Sequence, residues 1–213
     1  MIIFAQVNFL VRLENRPQGG DITMADHNTQ VELSIDLGNE EDEIAFTHLL
    51  SSFPLEAVVG QTLSKAGIKQ SVTVALLITT DETIRSLNNQ YRSQDKPTDV
   101  LSFPLLEKPI VSAPADQLWM PPDLLSGEEI QTQKAFVTPP DRTMHLGDIV
   151  ISWPTVIRQA TEVGHNPAYE LLFLLSHGVL HLIGYDDQTE AGYEAMVRIQ
   201  EMVLQEIEWK AHS

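Results

Sequence analysis

Leu171, Leu172, Leu174 and Leu175 make the stretch after Pro167 apolar nearly all the way round a helix. A helix without a polar face cannot lie on a surface, so it has to run through the core with other elements packed about it. Pro167 suits a first helical position, where a missing N–H costs nothing, and Gly184 offers a stop. The last turns of this buried helix carry His177 and His181. Residues four apart share a helix face with Cβ atoms about 5–6 Å apart. Both imidazoles can then reach one metal ion at about 2.0–2.1 Å.

The chain has 213 residues, 43% of them hydrophobic, and no cysteine. That length suits one domain with a sizeable core. Without cysteine, any metal must be held by histidine and carboxylate ligands. No run approaches the ~18 apolar residues of a membrane span. The amino terminus lacks a basic region and a small-residue cleavage site, so a secretory signal is not expected. Met24 precedes a polar run and offers an alternative translation start. A cytoplasmic protein is the expectation. The net charge is −17, whereas nucleic-acid binders usually carry a basic face, so any RNA binding is expected to be local. The run Glu40-Glu41-Asp42-Glu43 reads as solvated surface, while Arg85, Arg92 and Lys96 form a local cationic stretch.

Gln30–Leu37 alternates apolar and polar residues and reads as a half-buried strand. The pattern of Ala45–Ala66 predicts one helix, with Gly67 at its end and Pro54 at a kink or first turn. Val72–Ile78 is continuously apolar and predicts a buried central strand. Asp81 is expected to cap a helix in which Ile84, Leu87 and Tyr91 share a face. Asp99–Phe103 and Gly147–Trp153 read as strands, Pro154 as the opening of a helix, and Glu190–Glu208 as a final amphipathic helix. Leu105–Thr143 holds six of the twelve prolines with little periodicity and predicts an insertion or long loop. The resulting expectation is an α/β (α+β) fold, a mixed β-sheet covered by helices.

Three segments carry the chemistry. In the first, His177-x3-His181-x2-Gly184-x2-Asp187 has the layout of a zinc-protease helix whose third ligand is a histidine. Asp187 stands at that third position, and Gly178 stands where the protease carries its general-base glutamate. In the second, Arg92–Pro104 packs cations, carboxylates and hydroxyls into a helix-to-strand connection. It reads either as a polar turn with Arg92 and Asp95 paired, or as a phosphate-binding wall, for which arginine is well suited. In the third, Leu146–Ser152, Asp148 orients a ligand histidine or caps a backbone turn. His27, His48, His145 and His165 lack ligand context and read as surface or structural residues.

Together RSQDKPTDVLSFP at Arg92–Pro104, LGDIVIS at Leu146–Ser152 and HGVLHLIGYDD at His177–Asp187 resemble the YbeY family of bacterial single-strand endoribonucleases, which act in ribosomal RNA maturation. The likeness covers a domain at about residues 30–210. It leaves residues 1–29 as an extension and the proline-rich stretch 105–143 unaccounted for. It implies a compact α/β fold with one zinc ion at the end of the buried helix, held by His177, His181 and the residue at Asp187. It also implies that Arg92 lines the cleft and acts with His177 in catalysis. The family's third ligand is a histidine, so Asp187 is a departure. Aspartate can ligate zinc at about 2.0–2.2 Å, but it lowers the charge of the site and shifts preference modestly toward manganese or similar ions.

The reading that follows is a cytoplasmic, metal-dependent endoribonuclease of ribosomal RNA maturation and ribosome quality control. Its partners would be single-stranded and ribosomal RNA, with ribosomal proteins or the small subunit in addition. Two alternatives stand beside it. One is a metal-dependent hydrolase of another substrate, peptide included, which Gly178 disfavours. The other is a non-catalytic assembly factor that binds RNA or protein and holds a structural metal. Trp119 and Phe136, in the proline-rich stretch, either stack on bases or anchor it to the core.

Overall fold

The computed structural model describes residues 29–50, 55–120 and 143–211. Four strands form one mixed sheet: β1 (Thr29–Asp36), β2 (Val72–Thr79), β3 (Val100–Pro104) and β4 (Met144–Ser152), in the order β1-β2-β4-β3. β1, β2 and β4 run parallel, and β3 closes the edge antiparallel to β4. Among the described residues six helices accompany the sheet: α1 (Glu40–Leu50), α2 (Leu55–Lys65), α3 (Asp81–Arg92), α4 (Trp153–Val163), α5 (Pro167–Ile183) and α6 (Glu190–Ala211).

Strand alternation divides the molecule into layers. Leu76 on β2 is level with Ile149 on β4, and Ile78 with Ile151. These four residues point into the main core, built with α2, α5 and α6. Leu77, Val150 and Leu101 point the other way and meet Ile84 and Leu87 of α3 in a smaller cluster. β2 is therefore covered on both faces, which explains its unbroken apolar run. β1 is an edge strand with one solvated face, and its burial alternates along its whole length. Helix α5 lies in the larger layer, with eleven of its residues buried.

Several boundaries differ from expectation for identifiable reasons. The helix expected over Ala45–Ala66 is two helices, and residues 51–54, Pro54 among them, lie outside the described residues. α1 starts earlier, at Glu40, because Asn39 Oδ1 accepts from the Asp42 backbone N–H at 2.9 Å. The run Glu40-Glu41-Asp42-Glu43 is thus the first turn of a helix, where carboxylates complement the positive end of the helix dipole. The cap of α3 is Thr80, not Asp81: the Thr80 hydroxyl accepts from the Thr83 N–H at 3.3 Å. Asp81 instead accepts hydrogen bonds from Ser152, Thr155 and Arg158, tying α3 to α4. Ser152 ends β4 and caps α4, so Trp153 belongs to the helix and Pro154 lies within its first turn. The final helix runs on to Ala211.

Residues 105–120 follow the end of α5 closely. The Ile110 N–H donates to the Ile183 carbonyl, the Trp119 N–H to that of Gly184 and the Asp186 N–H to that of Gln117, each at 3.0 Å. A short 3-10 turn at Ala115–Gln117 lies between these bonds. This half of the proline-rich stretch is a strap laid over the chain reversal at Gly184–Asp187. Residues 121–142, with Phe136, lie outside the described residues.

Candidate metal centre

Helix α5 starts cleanly because Asn166 Oδ1 accepts from the Ala168 N–H at 2.9 Å and Pro167 opens the first turn. From there it runs against β4. A Cβ placed on Gly178 would stand 2.9 Å from both Cδ1 and Cγ2 of Ile149. That separation is far inside normal carbon–carbon contact, about 3.5–4.0 Å. Glycine at 178 lets the helix pack directly on the sheet, and no glutamate base fits there. At the far end Gly184 has φ +129°, and a Cβ on it would meet Pro109 of the strap at 2.5 Å. The sharp reversal that follows returns Asp187 to the histidine face.

His177 Nε2 and His181 Nε2 are 3.0 Å apart. Asp187 Oδ2 lies 3.7 Å from the first and 3.9 Å from the second. The circle through these three atoms has a radius of about 2.1 Å, the length of a zinc–imidazole or zinc–carboxylate bond. Among the described residues this is the group of histidine and acidic side chains whose spacing could hold an ion. The donor chemistry fits as well. His181 Nδ1 lies 3.0 Å from the Tyr185 carbonyl oxygen. A carbonyl only accepts, so Nδ1 carries the proton and, in the neutral ring, Nε2 keeps its lone pair. Two such lone pairs cannot face each other at 3.0 Å without a proton or a cation between them.

Burial, followed by the neighbouring His181, lowers the pKa of His177 from 6.5 to about 4; Asp187, Gln200 and Asp99 only partly oppose the shift. His177 is therefore a neutral imidazole at physiological pH, the form that ligates metals. Gln200, on α6, is fully buried. Its Nε2 donates to the Phe173 carbonyl at 3.2 Å, and its Oε1 is buried without a hydrogen-bond partner.

A cleft of about 630 Å³ opens over this group. It is lined by His177, His181, Asp187 and Gln188 from the end of α5 and the turn after it, and by Arg92, Gln94, Thr98 and Asp99 from the end of α3 and the turn into β3, which make up a first and a second wall. The second wall is shaped by the end of α3. Ser93 adopts a left-handed conformation, φ 55°, that stops the helix immediately after Arg92. Buried Asn88 donates through Nδ2 to the Lys96 carbonyl at 2.8 Å, fixing the turn beyond it. Asp99 accepts from Thr98, the Val100 N–H and Gln159, which secures the start of β3.

His177, His181, Asp187 and Arg92, picked out along 96 residues of sequence, thus line one cleft. The alternative pairing of Arg92 with Asp95 does not form. Asp95 is taken by Arg85 in a two-pronged bridge of 2.7 and 2.9 Å, leaving Arg92 at the cleft. Asp148 plays neither part expected of it. β4 turns it to the face opposite Ile149, toward His145 and Glu32, and burial raises its pKa. Of the other histidines, His165 pairs with Glu170 at 2.5 Å, His145 and His48 are exposed, and His27 lies outside the described residues. Trp119 is an anchor: its indole N–H donates to the His181 carbonyl at 3.0 Å. Gln200 and Asp99 went unnoticed in the sequence. Gln200 had a signal, as the polar residue on the apolar stripe Met196, Ile199, Val203 of α6; Asp99 reads there only as the start of a strand.

Residues 36–208 match the family model described as endoribonuclease YbeY. A protein named endoribonuclease YbeY from Dehalococcoides mccartyi is 38% identical over 162 residues, 76% of this chain and 91% of the relative. One from a Roseiflexus species is 41% identical over 147 residues, 69% of this chain and 77% of the relative. A third, from Desulforamulus reducens, is 35% identical over 175 residues, covering 82% and 97%.

Proposed function

The chain belongs to the endoribonuclease YbeY family, and from that premise we propose that it is a metal-dependent endoribonuclease acting on single-stranded RNA. Its place would be ribosomal RNA maturation and ribosome quality control in the cytoplasm, on the small subunit or beside ribosomal proteins. No helix of the described residues is long and apolar enough to cross a membrane. The active domain would span about residues 30–210, with 1–29 as an extension and 105–143 as an insertion. The observation that carries the reading is the convergence of three ligand-type atoms and one arginine on a single cleft.

In this reading His177, His181 and Asp187 hold one divalent ion, zinc or, given the carboxylate, a manganese-like ion. Such an ion supplies Lewis-acid activation of water and of a phosphoryl oxygen. The chain's own residues do the rest. Arg92, standing across the cleft, takes phosphate oxygens through its planar fork and stabilises the negative charge that develops at phosphorus. Thr98, Gln94 and Gln188 offer uncharged hydrogen-bonding groups along the same walls. Gly178 leaves no general base beside His177, which disfavours peptide hydrolysis. With a net charge of −17, RNA would be held at the cleft through Arg92 and the bound ion, so binding should weaken with salt.

The test is cleavage of a single-stranded RNA by wild type, His177→Ala and Arg92→Ala. The reading expects cleavage by wild type, its loss in His177→Ala, and a rate reduced about 10²–10³-fold in Arg92→Ala. Equal cleavage by all three proteins would show that the activity is a contaminant. Tight RNA binding with no cleavage by any of them would favour a non-catalytic assembly factor.

A further inference from the structure

Asp99 is a carboxylate on the wall that would face a polyanion. It lines the cleft with Arg92, Gln94 and Thr98, immediately before β3. Its hydrogen-bond partners are all uncharged. Oδ1 accepts from the Thr98 hydroxyl at 3.1 Å and from the Val100 N–H at 2.8 Å, and Oδ2 accepts from Gln159 Nε2 at 3.0 Å. The sense of the Gln159 amide is settled, because a carboxylate only accepts, and its own Oε1 is buried without a partner. Donors from the turn, from β3 and from α4 therefore hold the carboxylate in one orientation. Each carboxylate oxygen takes about two hydrogen bonds. Oδ1 is filled, and Oδ2 has one position left for what enters the cleft.

A fixed negative charge repels the phosphates that Arg92 attracts, so it weakens binding unless the substrate brings it a proton donor. The backbone donor that RNA has and DNA lacks is the ribose 2′-hydroxyl. It stands beside the 3′-phosphate of its own nucleotide, so a wall that takes a phosphate through Arg92 meets a 2′-hydroxyl within a few atoms. Base N–H groups differ from one nucleotide to the next, whereas this hydroxyl recurs on every one. We propose that Asp99 is the specificity residue of the cleft, accepting a hydrogen bond at Oδ2 from the 2′-hydroxyl of a bound nucleotide, so that RNA is taken and DNA refused. With ribose, a charge-assisted hydrogen bond offsets the repulsion. With deoxyribose the repulsion stands alone. Gln159 acts through Asp99 as a positioning residue that keeps Oδ2 in place.

The inference rests on the reading of the cleft as an RNA site, and its test separates the two. The full chain is stripped with a chelator so that no strand is cut, and binding is followed by fluorescence anisotropy at low salt. Wild type, Asp99→Asn and Arg92→Ala are each titrated with one base sequence as single-stranded RNA, 2′-deoxy strand and 2′-O-methyl RNA. The 2′-O-methyl strand keeps the ribose oxygen but has no proton to give. Wild type should bind RNA about 10–100-fold more tightly than either of the other strands. Asp99→Asn puts an N–H₂ where Oδ2 stands, to which Gln159 can offer its Oε1, and should bind the three strands nearly alike. Arg92→Ala should weaken all three. An RNA preference unchanged in Asp99→Asn overturns the proposal, as does an equal loss of affinity for RNA and the 2′-deoxy strand, which would point to a base N–H instead. Should Asp99→Asn fail to fold, wild type decides, since equal binding of RNA and 2′-O-methyl RNA contradicts the proposal. A wild-type chain that binds no strand, with or without zinc, overturns it together with the RNA reading. One that prefers RNA yet cuts none when zinc is restored defeats the nuclease reading and leaves the role of Asp99 standing.

Discussion

His177 and His181, on one side of the cleft, project from the last turns of a helix whose other residues there are almost all buried, whereas Arg92 opposite stands on the exposed last turn of α3. The first wall is fixed by the sheet and by the strap. β4 presses on Gly178, the strap closes over Gly184, and Trp119 holds the His181 carbonyl. The second is fixed at its base by Asn88 and Asp99, while its cation is left at the cleft. Rigid donors at set distances suit an ion that tolerates little misplacement. A long side chain on an exposed turn suits a flexible polyanion whose phosphates arrive at varying angles. In the proposed reading, one wall would bind the metal and the other the substrate.

The largest expected effect separates the walls directly. His181→Ala should lose both the ion and RNA cleavage, the latter by more than the roughly 100-fold upper range for changes that merely support a ligand. Arg92→Ala should lose cleavage while keeping the ion. Elemental analysis beside the RNA assay checks this, and loss of metal in Arg92→Ala would break the division. Next in size, Gly178→Ala should destabilise the chain by about 1–3 kcal/mol through forced contact with Ile149. Urea denaturation of the metal-free protein reads that change; a stability equal to wild type would mean that α5 is not pressed on β4 as described.

A pH series sharpens the same wall. In the unfolded chain His177 takes up a proton near pH 6.5, but in the folded chain only near 4. Between those values the unfolded state binds more protons, so this contribution to stability is complete above 6.5 and falls as the pH drops toward 4. Urea midpoints of metal-free wild type should decline across that window, and those of His177→Ala should decline less. The smallest effect belongs to the strap. Trp119→Phe removes one hydrogen bond to the His181 carbonyl, and should cost about 0.5–1.5 kcal/mol with metal stoichiometry unchanged.

Much of this architecture was legible in the sequence because it follows from one-dimensional patterns. The all-apolar face of α5, the unbroken run of β2 and the i, i+4 histidines each declare their burial or their geometry without reference to distant residues. What could not be read depends on partners far along the chain. Arg85 lies ten residues from Asp95, and only the turn fixed by Asn88 brings them together. Asp81 reads as a cap until β4 delivers Ser152, and Asp148 reads as a ligand supporter until strand register turns it away. The strap carries no periodicity because its backbone bonds to a helix end and a chain reversal, which leave no repeat in its side chains. Gln200 went unnoticed although it interrupts the apolar stripe of α6, because its complete burial follows only from the packing of α6.

The division of the cleft stands or falls on whether His177, His181 and Asp187 hold an ion together. The direct measurement is metal content per chain for wild type, Asp187→Ala and Asp187→His after purification in equal zinc. We expect close to one ion in wild type, loss in Asp187→Ala, and tighter retention against chelator in Asp187→His. Equal metal content and equal retention in all three would contradict the assignment of Asp187 and, with it, the three-sided site.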